Sequence, residues 1–261
     1  MRQWSLGHLT VNGARPFELV EIAARAGYAA VDPLVGYIDV PGLAIVPLKA
    51  GDPDTVRMAG ALKANGIALR IADGFVLDAN SDLDSAKRTI DLVAGLGAIG
   101  VNTILFGDDL PAAVAKLAAL DEIAAAAGLR TLMEPMMISS VHNPAQAMDV
   151  IAKTGSSNIR IMLDSLHFFY AGKKAADISQ FVHAVGGVQL CDSPKKMTFD
   201  EYSRASIEER IAPGEGELPL REFMAALPRD LVCAIEVPRP TEPEMTDRAR
   251  RVLEAGKRVD A

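Results

Sequence analysis

The sequence predicts an α/β protein, a single-domain (β/α)8 TIM barrel over residues 1–261. A helical segment that ends near a glycine is followed by a short apolar run and an acidic residue, and this unit occurs seven times. One further apolar run precedes the first helix, so we expect eight strands. Eight strand–helix units in about 250 residues match the size of a TIM barrel.

Each predicted element carries the same local signals. The first strand is expected in "WSLGHLTV", and the repeats that follow are "AARAGYAAVD", "KANGIALRIAD", "GLGAIGVNTILFGD", "AAAGLRTLME", "AKTGSSNIRIMLD", "AVGGVQLCD" and "LPRDLVCAIE". The glycines suit helix C-caps, and the runs rich in Val, Ile and Leu are typical of strands buried on both faces. Their alternation predicts a parallel sheet. A doubly wound open sheet is the alternative, but no G-x-G-x-x-G motif follows a strand to favour it.

The composition argues against several classes of protein. The net charge is −7 and no cluster of Lys and Arg is longer than two residues, so we expect no nucleic-acid partner. No apolar run approaches the length of a membrane span, and "MRQWSLGHLTVNGARP" lacks the pattern of a signal peptide. Cys191 and Cys233 are too few for a disulfide framework. We therefore expect a reduced, cytoplasmic protein.

Acidic residues end most of the predicted strands. In a parallel barrel these strand ends share one rim, where the βα loops build active sites. For Asp32, Asp73, Asp108 and Asp192, we expect a helix cap or a solvent-exposed side chain.

Three other acids and one amide stand out. Glu134 lies in "LMEPMM", Glu236 lies in "AIEVP" and Asp164 ends the repeat "AKTGSSNIRIMLD". Gln189 interrupts "GGVQLCDSP". A carboxylate or amide within an apolar run is costly unless it is paired, hydrogen-bonded or metal-bound. Together the four would form an oxygen-only ligand set, which suits Mg²⁺ or Mn²⁺ better than zinc or copper. The alternative is a hydrogen-bonded polar layer in the barrel mouth.

Further candidates are expected at the same rim. His167 follows Asp164 by three residues, so both start one βα loop and a site role is favoured. Arg239 could bind a carboxylate or phosphate. The candidate substrate contacts are His8, Phe106, His142, Lys195 and Arg239. Core packing, a loop ion pair or plain solvation are the ordinary alternatives for them.

Four strand ends carry a resemblance to a known family. The segments "LMEP", "LDSLH", "VQLCD" and "IEVPRP" resemble the metal-binding strand ends of xylose isomerase-like TIM barrels. That superfamily includes ketose 3-epimerases, hydroxypyruvate isomerase, inosose dehydratase and dehydroshikimate dehydratase. The resemblance implies one divalent metal ion held by Glu134, Asp164, Gln189 and Glu236, with His167 contacting the substrate. Gln189 in place of a histidine, together with "RIAPGEGEL", is similar to the hydroxypyruvate isomerase branch, whereas "SPKKMTFDEYSRASIEER" departs from it.

The expected function is a metal-dependent isomerase or epimerase of a small hydroxyketone or sugar. Glu134 and Glu236 would exchange a proton next to the carbonyl, through an enediolate. If His167 instead protonates a leaving hydroxide, the protein would be a dehydratase or lyase of a cyclic keto-polyol or keto-acid. A non-catalytic binding barrel is a third possibility. The expected partner is a small polyhydroxy keto compound, and the family resemblance adds a homo-oligomer.

Overall fold

The structure, a computed structural model, describes residues 2–35, 48–208, 210–238 and 244–261. In these residues nine strands form one sheet in which every pair is parallel, in the order β3-β2-β1-β9-β8-β7-β6-β5-β4. The strands are β1 (Trp4–Gly7), β2 (Ala30–Asp32), β3 (Ala68–Leu69), β4 (Ile71–Leu77), β5 (Gly100–Leu105), β6 (Arg130–Met133), β7 (Ile159–Asp164), β8 (Val185–Leu190) and β9 (Cys233–Ile235).

The sheet closes into a barrel where its two end strands, β3 and β4, follow one another in the chain. β3 and β4 are two parts of one extended segment, separated by Arg70 alone. β3 pairs with β2, β4 pairs with β5, and a bridge between Leu34 and Asp73 joins the end of β2 to β4. The nine strands therefore occupy eight barrel positions, and the predicted TIM-barrel fold class is confirmed.

Helices surround the strands on the outside. They are α1 (Pro16–Ala26), α2 (Pro53–Asn65), α3 (Leu83–Gly95), α4 (Leu110–Ala126), α5 (Pro144–Thr154), α6 (Ser165–Tyr170), α7 (Phe199–Ala205), α8 (Leu220–Ala225) and α9 (Met245–Val259). Three of the repeat glycines end helices in the left-handed conformation as predicted: Gly27, Gly66 and Gly155. None of the helices in the described part of the chain has the length and apolarity of a membrane span.

The apolar core has two parts, and their positions define where the site lies. A large cluster fills the space between the strands and the helices. Inside the barrel, Ile71, Leu132 and Met162 form a separate small cluster. Because side chains alternate along a strand, the residues two positions further on face the same way. For β6 and β7 these residues are Glu134 and Asp164, so the barrel interior becomes polar at its C-terminal mouth.

Candidate metal and active site

The four predicted metal ligands all lie at the C-terminal mouth of the barrel. Glu134 follows β6, Asp164 ends β7, Gln189 lies near the end of β8 and Glu236 follows β9. Each is at most 4% exposed. Asp164 and Gln189 are register partners on adjacent strands. The structure therefore brings these residues to one level on four neighbouring strands.

Two buried amides link the carboxylates in a continuous chain. Asn102, on β5, donates from Nδ2 to Glu134 Oε2 at 2.7 Å and to Asp73 Oδ1 at 3.0 Å. Gln189 donates from Nε2 to Asp73 Oδ2 at 2.9 Å and to Glu236 Oε1 at 3.1 Å. We refer to Glu134, Asn102, Asp73, Gln189 and Glu236 as the amide–carboxylate chain. Its two ends are the two predicted catalytic glutamates.

A buried arginine supplies the positive charge of the site. Arg210 Nη1 lies 2.6 Å from Asp164 Oδ2 and 3.3 Å from Glu236 Oε2. The same guanidinium donates to the backbone carbonyl oxygens of Ala205 at 3.4 Å and Ser206 at 3.0 Å. Arg210 is 2% exposed, and ion pairs buried to this degree are strongly coupled. It joins two of the predicted ligands from outside the strands.

His167 lies between the carboxylates and Tyr202. Its Nδ1 is 2.8 Å from Tyr202 Oη, and that hydroxyl accepts the backbone N–H of Met137 at 3.0 Å. Its Nε2 lies 3.4 Å from Glu134 Oε1 and 3.4 Å from Arg210 Nη2. Tyr202 therefore fixes the orientation of the ring so that Nε2 faces the site.

Burial makes most of the site carboxyls hard to ionise. It raises the pKa of Glu236 to about 8, although the charge of Arg210 opposes this shift. It raises the pKa of Glu134 well above its ordinary value, and the nearby carboxylates of Asp73, Asp164 and Glu236 add to the rise. Burial also raises the pKa of Asp73 against the N–H groups that it accepts. These groups favour the neutral form unless further positive charge is present.

Arg210 lowers the pKa of the groups beside it. Burial opposes the ionisation of Asp164, but the charge of Arg210 outweighs it and lowers the pKa of that carboxyl. Burial also opposes the charge of Arg210, yet Asp164 and the other carboxylates raise the arginine's pKa well above its ordinary value. For His167, burial lowers the pKa to about 4, with Arg210 adding to the effect against Asp164. The imidazole is therefore neutral near pH 7.

The residues present fit a divalent metal ion. Glu134, Asp164 and His167 each offer one ligand atom, and these atoms all lie within 4.8 Å of one another. Gln189 Oε1 and Asn102 Oδ1 are buried and have no hydrogen-bond partner among the described residues. The four buried carboxyl groups are those of Asp73, Glu134, Asp164 and Glu236, and among the described residues Arg210 is the arginine that forms ion pairs with them. A divalent cation would offset the excess negative charge of their ionised forms. The predicted set contains Glu134 and Asp164 of this trio, and His167 was predicted in a catalytic role.

His8 lies directly after β1, where it begins the next turn, and it is buried. Its Nε2 lies 2.8 Å from the carbonyl oxygen of Ala14, and its Nδ1 accepts the backbone N–H of Leu34 at 3.2 Å. Because both ring nitrogens are bonded to backbone, His8 ties the loop after β1 to the end of β2. Its expected substrate contact stays a prediction.

The other candidate substrate contacts are Phe106, His142, Lys195 and Arg239. Phe106 is half-buried just beyond β5, His142 is half-buried before α5, and Lys195 is exposed beyond β8. Within the described ranges, no hydrogen bond or ion pair joins the side chain of His142 or Lys195 to the predicted ligands. Arg239 lies outside the described residues. These four assignments stay predictions.

Three of the four acids expected to cap helices or face solvent are instead buried. Asp73 is part of the amide–carboxylate chain, and Asp32 accepts the hydroxyl of Ser5 at 2.7 Å. Asp192 is completely buried. It accepts the backbone N–H groups of Gly214 at 2.8 Å and Leu218 at 3.0 Å. Of the four, Asp108 alone is exposed as expected.

The sequence interpretation missed Asp73, Asn102 and Arg210 as site residues. Asn102 interrupts the apolar run "GVNTIL" in the same way that Gln189 interrupts its own run, so the signal was present. Arg210 is the first residue of "RIAPGEGEL", which lies outside every predicted strand end. Asp192 holds the segment of Arg210 in position. The backbone of Asp192 exchanges hydrogen bonds, at 2.8 Å and 3.0 Å, with the backbone of Ile211, the residue that follows Arg210.

A family model described as a xylose isomerase-like TIM barrel matches residues 20–256. No curated protein matches the chain by sequence.

Solved structures share the fold at low sequence identity. One is a xylose isomerase-like TIM barrel/4-hydroxyphenylpyruvate dioxygenase fusion protein, at 22% identity and a TM-score of 0.79, of which this chain spans 42% while 97% of this chain is covered. Another is the IOLI protein with a bound zinc atom, at 18% identity and a TM-score of 0.76, with 99% and 96% of the two chains covered. A third is D-allulose 3-epimerase from Methylomonas sp. in complex with D-allulose, at 15% identity and a TM-score of 0.75, with 98% and 97% covered.

Proposed function

We propose that this chain, which belongs to the xylose isomerase-like TIM-barrel family, is a divalent-metal-dependent isomerase or epimerase of a neutral polyhydroxy ketone. The observation that carries the proposal is the pair of buried glutamates at the two ends of the amide–carboxylate chain. Glu134 and Glu236 follow β6 and β9, with β7 and β8 between them in the sheet. They can therefore act from two sides on one bound carbon.

Glu134, Asp164, Gln189 and Glu236 are the proposed metal ligands, with His167 close enough to join Glu134 and Asp164. Carboxylate and amide oxygens favour Mn²⁺ or Mg²⁺. When bound, such an ion acts as a Lewis acid that stabilises negative charge on a carbonyl oxygen. The donor set supports this choice, and the zinc atom of the IOLI protein indicates that the same fold accepts a metal ion in a relative.

The two glutamates would move one proton. One carboxylate takes the proton from the carbon beside the substrate carbonyl, and the electron pair of that C–H bond forms the double bond of an enediolate. The other carboxyl returns a proton. Return to the same carbon from the opposite face gives the epimer, and return to the neighbouring carbon gives the isomer. Burial raises the pKa of both glutamates, which supports this exchange because each group can then hold a proton as well as release one.

The described part of the site favours a neutral substrate. The N–H groups of Arg210 face Asp164, Glu236, the carbonyls of Ala205 and Ser206, and His167. This guanidinium is therefore already occupied by protein partners and is not free for a substrate carboxylate or phosphate. Because burial lowers the pKa of His167 to about 4, the ring is neutral near pH 7 and holds no imidazolium proton to give to a leaving hydroxide. Both observations favour the isomerase or epimerase over the dehydratase alternative.

The experiment follows proton exchange with the protein stripped of metal and then loaded with Mn²⁺ or Mg²⁺. A panel of ketoses is incubated in D2O, and deuterium incorporation and product formation are measured by NMR and mass spectrometry. We expect metal-dependent deuterium next to the carbonyl of at least one ketose. Glu134→Gln and Glu236→Gln should each lower product formation by about 10²–10⁴-fold, the usual contribution of such groups.

Glu122→Gln provides the control, because Glu122 is exposed on α4 and should leave product formation unchanged. Product formation by either glutamine variant at the wild-type rate, or exchange that is equally fast without metal, would contradict the proposal. Elimination of water from an inosose or a dehydroshikimate, without epimerised ketose, would favour the dehydratase. Homo-oligomerisation and a cytoplasmic location stay predictions.

A further inference from the structure

Asp73 is the central carboxylate of the amide–carboxylate chain and lies between its two amides. Its Oδ1 accepts Asn102 Nδ2 at 3.0 Å, and its Oδ2 accepts Gln189 Nε2 at 2.9 Å. Asp73 is 7% exposed, so solvent does not replace these partners readily. Its hydrogen-bond partners are N–H groups of the two amides and of the backbone, and within the described ranges no hydrogen bond or ion pair joins it directly to Glu134, Asp164 or His167.

The backbone around Asp73 holds the carboxylate in place. The register of β4 with β5 shifts between Ala72 and Phe75, which marks a β-bulge. Gly74 follows Asp73 with φ of 97°, the left-handed conformation that glycine adopts without strain, and its N–H donates to Asp73 Oδ1 at 2.7 Å. The backbone of Asp73 is also bonded to the end of β2, to Pro33 and Val35, at 2.9 Å each. Bulges of this kind direct a side chain towards a site.

The positions of two carboxylates determine which way the Gln189 amide points. Asp73 Oδ2 and Glu236 Oε1 lie 2.9 Å and 3.1 Å from the same nitrogen. A bound cation would keep both carboxyls ionised, and ionised carboxylates only accept hydrogen bonds. The amide N–H₂ group must therefore face both of them. The carbonyl oxygen, Oε1, is turned away, is buried, and has no hydrogen-bond partner in the described residues. An unsatisfied buried acceptor costs on the order of 1–3 kcal/mol, so a bound ion or donor at this oxygen would stabilise the site.

We infer that Asp73 is a positioning residue that orients the Gln189 side chain so that its carbonyl oxygen can bind the metal ion. The inference rests on the proposed metal-dependent function and goes beyond it, because Asp73 itself is not a proposed ligand. It explains how a neutral glutamine can serve as a metal ligand, although its amide could equally turn the nitrogen towards the ion. It also gives a role to a buried acid that the proton-transfer mechanism does not use.

Asp73→Asn provides the test, because the bonds to Asp73 fix which way the new amide turns. Oδ1 accepts both Gly74 and Asn102, so the oxygen of the introduced amide should stay there and its nitrogen should face Gln189. Two N–H₂ groups would then oppose each other, and the Gln189 amide should flip. We expect the Kd for Mn²⁺, measured by calorimetry at pH 8 on the full chain, to rise about 10- to 100-fold, as for other partners that orient metal ligands.

A double-mutant cycle separates orientation from charge. In the Gln189→Leu background there is no amide to orient, so Asp73→Asn should change the Kd for Mn²⁺ less than threefold. Asp32→Asn removes a buried carboxyl on the neighbouring strand and should leave the Kd within threefold of wild type. An equal loss from Asp73→Asn in both backgrounds, or an unchanged Kd in the single variant, would overturn the inference.

A second variant covers the case in which Asp73→Asn fails to fold. Gln189→Glu adds a negative charge to the ligand set but offers no N–H to Asp73 or Glu236. If Asp73 orients residue 189, this variant should bind Mn²⁺ more weakly than wild type, whereas tighter binding would overturn the inference. Failure of the wild type to bind Mn²⁺ or Mg²⁺ would instead overturn the proposed function itself, and the inference with it.

Discussion

Replacing Asp32 by asparagine should stabilise the protein above neutral pH. Burial raises the pKa of Asp32 from 3.8 to about 7, with Asp73 adding to the rise and hydrogen bonds from Ser5 and Ile71 opposing it. Both of those bonds end on the same oxygen, Oδ1, at 2.7 Å and 3.1 Å. An asparagine can keep both through its carbonyl oxygen and cannot ionise. It therefore removes the cost of the charge without losing the bonds.

The size of the effect follows from the shift in pKa. One pKa unit corresponds to about 1.4 kcal/mol, so a shift from 3.8 to about 7 costs the wild type about 4 kcal/mol once the group is ionised in both states. Between these two pH values the folded state holds a proton that the unfolded state has lost. The free energy of unfolding of the wild type should therefore fall as pH rises from about 4 to 7 and stay low above it.

Urea denaturation of both proteins in EDTA, at pH 5 and pH 8, measures this difference. Asp32→Asn should gain about 3 kcal/mol relative to wild type between the two pH values. Asp121→Asn is a matched control with the opposite sign. Asp121 accepts the hydroxyl of Ser156 on Oδ2 and the amide N–H of Asn158 on Oδ1. The amide of the introduced asparagine must turn its nitrogen towards one of these donors, so this variant should unfold more easily than wild type at both pH values. If the free energy of unfolding of Asp32→Asn differed from that of the wild type by the same amount at pH 5 and pH 8, the reasoning for Asp32 would be refuted.

Three further changes test the surroundings of the site. A Cβ at Gly216 would lie 2.6 Å from the carbonyl oxygen of Ser193, so Gly216→Ala should lower the free energy of unfolding by about 1–3 kcal/mol in urea, and a wild-type midpoint would contradict this. Tyr202→Phe leaves the half-buried N–H of Met137 without its acceptor and should cost about 1 kcal/mol in the same assay, and an unchanged midpoint would contradict this. Burial raises the pKa of Glu236 to about 8, so protons should compete with Mn²⁺ for the site. The Kd for Mn²⁺ should therefore fall from pH 6 to pH 8, with proton release seen by calorimetry, and a pH-independent Kd would count against the site.

The fold was predictable because the repeat carries its own local evidence. Glycines such as Gly27 and Gly66 end helices, and the apolar run that follows each of them can only be buried in a strand covered on both sides. The split of the third strand at Arg70 was not predictable. It depends on which neighbour each half can pair with, and that is set by the closure of the barrel and not by local sequence.

The site was only partly predictable, for a related physical reason. Glu134, Asp164, Gln189 and Glu236 occur at strand ends, where the period of the barrel fixes their height and direction. Arg210 enters the same space from the loop after α7, and the path of a loop is set by long-range contacts such as those of Asp192. The expectation that acids at strand ends cap helices or face solvent failed for Asp32, Asp73 and Asp192, because their burial depends on the packing of the whole rim.

The amide–carboxylate chain repeats one register relation on two sides of the barrel. Asn102 is the register partner of Leu132, two residues before Glu134, and Gln189 is the register partner of Ala234, two residues before Glu236. Each glutamate thus receives an N–H from the strand beside it.

The two glutamates differ in their second partner, and this difference suggests separate roles. Glu236 Oε2 lies 3.3 Å from Arg210, whereas Glu134 Oε1 lies 3.4 Å from a neutral His167. A nearby cation favours the ionised form, so a single proton shared by the pair should rest on Glu134 and leave Glu236 as the base. For a ketose whose C–H faces Glu236, Glu134→Gln should still exchange that proton with D2O without forming product, whereas Glu236→Gln should lose both. Loss of exchange in Glu134→Gln alone would reverse the two roles.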